Sequence, residues 1–101
     1  MLTRWPHGEA PTAERLEGTI RTEGMTPDWW ANSPGDVYPS HEHDFHKVLF
    51  CLDGEITFIL GHTGERLKLS PGDRLDLPPE WPHTAIVGPT GVRCVEGHKP
   101  A

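Results

Sequence analysis

The chain has 101 residues, with nine Lys and Arg against fifteen Asp and Glu and a formal net charge of −6. No basic cluster is present to neutralise phosphates, which excludes a nucleic-acid partner, and no apolar run approaches the ~18 residues of a membrane span. Eleven Gly and eleven Pro are spread along the whole length, so they punctuate many short elements and exclude a long helical bundle. In chain order, Met1 to Glu9 lacks the apolar stretch of a secretion signal, which points to the cytoplasm. Residues 12–24 predict the only helix: Thr12 can cap it, Leu16 and Ile20 share one face, and Gly24 can end it. Gly18 weakens that helix by ~1 kcal/mol relative to alanine. Residues 1–26 are thus read as an N-terminal segment built around a short helix, and residues 27–101 as a β-barrel, in one domain overall.

From residue 27 the pattern is of short β-rich runs broken by turn residues. Lys47–Leu52 and Glu55–Leu60 flank Asp53-Gly54, a pair whose tolerance of positive φ predicts a type I′ hairpin. Gly61–Gly64 offers the next turn and residues 65–70 the next strand. Pro71-Gly72-Asp73 then turns the chain into Arg74–Leu77, and Pro78–Pro82 reads as a stiff connection. Strands over 83–87 and 92–96 follow, separated by a turn at Gly88–Gly91. Short strands at intervals of roughly 8–12 residues imply an all-β sandwich or barrel. Cys51 and Cys94 have no CxxC spacing and read as small core residues.

Seven histidines are the unusual count, and three of them fall within six positions. On an extended strand His41 and His43 project from one face, so both imidazoles can approach one metal ion. Around them the spacing is G-x5-H-x-H-x3-K-x6-G from Gly35 to Gly54. After a gap of 17 residues comes G-x5-P-x-E-x2-H, from Gly72 to His83. This resembles the paired motifs of the cupin superfamily, small barrels of jelly-roll topology, over about half the chain. The resemblance implies an RmlC-like jelly-roll barrel, a double-stranded β-helix in which His41, His43 and His83 bind one divalent metal. Imidazole ligation suits iron, manganese, nickel, copper or zinc.

Three positions depart from the cupin pattern. Its first-motif glutamate falls on Lys47, its second-motif glycine on Glu80 and its asparagine on Val87. Protonated lysine has no lone pair and repels a dication, while neighbouring His46 has the opposite strand parity; the fourth position therefore rests between His46 and Lys47. Trp81, two residues before His83, is a candidate for lining a pocket. Trp29 and Trp30 read as core or interface, and His7, His62 and His98 have no evident partners. The reading is a metal-binding cupin-like protein acting on a small organic molecule, as an oxygenase- or isomerase-type enzyme. The alternatives are a non-catalytic module that binds or senses a small ligand, where the Lys47 amine would hold an anionic group, and a dimeric accessory protein with a vestigial site. A homodimer is expected, because a barrel this small exposes strand edges.

Overall fold

The computed structural model describes residues 1–100. Its elements in chain order are β1 (Leu2–Thr3), α1 (Ala13–Thr22), β2 (Asp28–Asn32), β3 (Val37–His41), β4 (His46–Leu60), β5 (Arg66–Leu69), β6 (Arg74–Leu77) and β7 (His83–Lys99). No helix among the described residues is long and apolar enough to cross a membrane. The fold is all-β apart from α1. Pairing is antiparallel throughout, in the order β1-β6-β4-β7-β2, with β3 also on β7 and β5 also on β4.

Two long strands organise everything else. β4 and β7 pair from His46↔Lys99 to Leu60↔His83, with irregularities between Cys51 and Asp53 and between Gly54 and Ile56. The first half of β4 carries β6, and the facing half of β7 carries β2. Beyond the irregularity the second half of β4 carries β5, and the facing half of β7 carries β3. The seven strands thereby form one antiparallel sheet, not closed into a full barrel, whose two halves fold over at this bend in the jelly-roll arrangement that the resemblance implied. Asp53-Gly54 is not a hairpin turn, and Gly88–Gly91 is not a break between strands; both lie within long strands. Gly54 has φ 75 and Gly91 φ 80, so the positive φ read from sequence is used to bend the paired strands and not to reverse the chain. A Cβ on Gly54 would lie 2.0 Å from the Gly91 carbonyl oxygen.

Between the two halves pack Leu49, Cys51, Ile56, Phe58, Leu75 and Val87 with their neighbours, including Cys94 directly opposite Cys51. The other face of β4 presents Val48 and Phe50 to Leu16, Ile20 and Met25 from the helix and its exit. Residues 48–51 are therefore apolar on both faces and read as a continuous run, not an alternation. Thr12 caps α1 as expected, its hydroxyl accepting from Arg15 N at 3.2 Å. The sequence reading missed β1, which pairs Leu2 with Leu75 and is followed by an Arg4–Asp73 ion pair at 2.7 Å.

Candidate metal centre

β3 ends at His41, so the regular strand expected to carry both His41 and His43 stops between them, and His43 lies in the connection to β4. His83 opens β7 and is the cross-strand partner of His41. The three side chains nevertheless converge. Ring centroids lie 4.2 Å apart for His41–His83, 4.8 Å for His41–His43 and 5.4 Å for His43–His83. One nitrogen from each falls within 4.8 Å of the others. His83 is only 2% exposed.

Hydrogen bonds decide which nitrogen each ring offers. His41 Nδ1 and His83 Nδ1 each lie 2.9 Å from a carbonyl oxygen, of Pro39 and Trp81 respectively. A carbonyl only accepts, so each Nδ1 carries a proton and Nε2 is the nitrogen each ring can offer to an ion. The buried Nε2 atoms of His43 and His83 have no hydrogen-bond partner. Burial pushes the His43 imidazole down to about 4, helped by the positive charge of Lys47 and the adjacent imidazoles. Burial also lowers His83, against the opposing bond to Trp81. Both rings are therefore neutral at pH 7. Three imidazoles whose nitrogens converge, two of those nitrogens buried and unpartnered, fit a borderline divalent metal ion.

Glu80 helps to place His43. Its N–H donates to the His43 carbonyl at 2.6 Å, and it does so from φ 63, the left-handed region that favours glycine. The cupin pattern has glycine at this position, and the geometry supplies the reason.

The centre opens into a cavity of about 180 Å³ that His41 and His83 share with aromatic walls of Trp30, Tyr38 and Phe58. Lys47 and Glu96 supply its remaining polar surface. Lys47 Nζ lies 3.5 Å from Glu96 Oε1, and both side chains are nearly buried. Glu96 Oε1 also accepts from Trp30 Nε1 at 2.7 Å, and Oε2 from His98 Nε2 at 2.5 Å. Burial alone would raise the Glu96 carboxyl, but the Lys47 charge and these two donors outweigh it and hold the group below its ordinary value.

Lys47 thus lines the cavity, whereas His46 turns away and donates from Nε2 to Asp76 Oδ1 at 3.0 Å. Trp81 does not line this cavity. Its ring packs near His62, at 5.8 Å between centroids, and its role toward the centre is the carbonyl that orients His83. Glu96 was missed in sequence, although alternation with Val92 and Cys94 places it on the interior face of β7. Nothing in the sequence pointed to Tyr38. A larger cavity of about 310 Å³ beside Met25 and His98 lies behind Glu96 and contains none of the three histidines.

A family model described as Cupin domain matches residues 29–95. Solved structures similar to this chain include an RmlC-like cupin from Shewanella frigidimarina, at 25% identity over 76% of this chain and 67% of that one, with a TM-score of 0.65. A protein with a double-stranded β-helix domain from Klebsiella pneumoniae is 26% identical over 75% of this chain and 67% of that one, with a TM-score of 0.65. A DMSP lyase from Ruegeria pomeroyi is 23% identical over 74% of this chain but only 38% of its own, with a TM-score of 0.68. Among curated proteins no match was found.

Proposed function

The chain belongs to the cupin family, and we propose that it holds one divalent transition metal through His41, His43 and His83 and acts with it on a small organic molecule. The observation that carries this reading is the pair of buried, unpartnered Nε2 atoms of His43 and His83, gathered with His41 so that one nitrogen from each lies within 4.8 Å of the others. Three imidazoles leave coordination positions open, as a site that must also receive a ligand requires. When bound, such an ion supplies a Lewis acid, and a redox-active one also supplies electrons, which suits oxygenase- or isomerase-type chemistry. The chain's own groups do the rest: Trp30, Tyr38 and Phe58 shape the cavity and exclude water, while Lys47 and Glu96 orient polar parts of the ligand. The lyase from Ruegeria shares the fold, and its activity is its own.

Metal analysis of protein purified without added metal, followed by stripping and zinc titration, tests the reading. The expected result is one equivalent per chain, with His83→Ala lowering affinity by roughly 100-fold while far-UV circular dichroism is unchanged. No uptake by the parent, or equal affinity in the variant, overturns it. The Lys47–Glu96 pair favours a second reading, a metal-free module that binds a small ligand without turnover. Under that reading ligand binds equally well to stripped and zinc-loaded protein.

A further inference from the structure

We propose that the cavity takes a small monoanionic carboxylate, one oxygen held by the Lys47 ammonium and the remainder lying between the aromatic walls and the three-histidine centre. The inference deepens the metal-dependent reading and rests on it for the contact at the histidines.

The ammonium has donors to spare. It carries three N–H groups. Among the described residues its one carboxylate neighbour is Glu96, at 3.5 Å, longer than a good hydrogen bond. Glu96 already accepts short bonds from Trp30 and His98, so it is anchored away from full engagement with Lys47. The other donors in the walls are committed elsewhere: Trp30 Nε1 to Glu96 and the Tyr38 hydroxyl to Asn32. Lys47 is the group left to meet an acceptor in the ligand, and a nearly buried ammonium gains most from an anionic one.

Charge points the same way. With a dication held by the three histidines and an ammonium beside it, the single carboxylate of Glu96 leaves the cavity strongly positive. That excess is poorly screened away from bulk water, and a monoanion offsets it. Size sets the rest. A cavity of about 180 Å³ is well below the roughly 300–1,000 Å³ of pockets for drug-sized ligands, which limits the occupant to roughly ten heavy atoms.

Calorimetric titration of zinc-loaded and metal-free protein with propionate and propionamide, and with lactate and lactamide, tests the inference, because each pair differs in charge and hardly in shape. In the parent the acid is expected to bind at least ~10-fold tighter than its amide. The preference is expected to fall below ~3-fold in Lys47→Gln and to survive in Lys47→Arg, with one equivalent of zinc still bound per chain in both. Equal binding of acid and amide by the parent overturns the proposal, as does a preference that persists in Lys47→Gln. Should Lys47→Gln not fold, as judged by circular dichroism, the parent comparison and Lys47→Arg decide: loss of the preference in the parent overturns the proposal and its presence in both supports it. If the parent takes up no zinc, the metal-dependent reading fails by itself, and the acid-to-amide comparison on the metal-free chain still upholds or overturns the role of Lys47.

Discussion

Glu80 sits in the left-handed region with its N–H on the His43 carbonyl, a conformation that costs a side-chain-bearing residue on the order of 1 kcal/mol or more. Glycine adopts it freely, although it adds entropy to the unfolded chain. Glu80→Gly is therefore expected to stabilise the protein by about 0.5 kcal/mol, read as a higher urea midpoint, with metal affinity unchanged. Lys47 behaves in the opposite way. Replacing it with glutamate sets two carboxylates side by side where the parent has a nearly buried ion pair. Without metal Lys47→Glu should cost about 3 kcal/mol. A dication in the cavity should recover much of that loss, so melting in chelator and in excess zinc should differ more for the variant than for the parent. A variant as stable as the parent in chelator would show that residue 47 does not face Glu96.

Among the elements, the bend shared by β4 and β7 is the point of least tolerance. Gly54 and Gly64 both have φ 75, but a Cβ on Gly54 meets the backbone of Gly91 whereas one on Gly64 meets open space. Gly64→Ala should cost ~1 kcal/mol, and Gly54→Ala roughly 3 kcal/mol or more, because two backbones must separate. Urea unfolding of the two variants checks the contrast. At the end of α1, Glu23 accepts from Arg74 of β6 at 2.5 and 2.8 Å, which holds its carboxyl down to about 2. A depressed carboxyl stabilises the fold above its unfolded value near 4.5 and ceases to do so as pH falls toward 2. Exposure to solvent limits the effect to ~1 kcal/mol. Stability measured from pH 5 to 2 should accordingly fall less steeply in Glu23→Gln than in the parent.

For the molecule as a whole, a metal held at the proposed centre would couple its binding to folding. His41 ends β3, which is paired only to β7, and His83 opens β7. An ion bridging them ties the least buried edge of the roll to its central strand. At metal concentrations 100-fold above Kd the folded state gains ~2.7 kcal/mol, which corresponds to a rise in Tm of roughly 10–20 °C for a chain of this size. Calorimetry with and without chelator should show that rise in the parent and its loss in His83→Ala. An identical Tm with and without metal would contradict a centre that bridges the two strands.

The spread of glycines and prolines by itself determined the strand-rich class, and the resemblance to the paired cupin motifs implied the jelly roll and the three histidines that meet, because those signals are local or fixed by motif length. Alternation also separated His46 from Lys47, since neighbours on β4 must point oppositely. What Asp53-Gly54 does was decided only in three dimensions. Positive φ permits either a reversal or a bend, and the strand lying opposite, with Gly91 at the same level, selects the bend. The partner of Lys47 was likewise out of reach. Its register against β7 brings Glu96 to it from 49 positions away, and no local pattern encodes a cross-strand neighbour. The tertiary structure alone therefore settled the electrostatics of the cavity, because charge at a site depends on which side chains become neighbours and how far water is excluded from them.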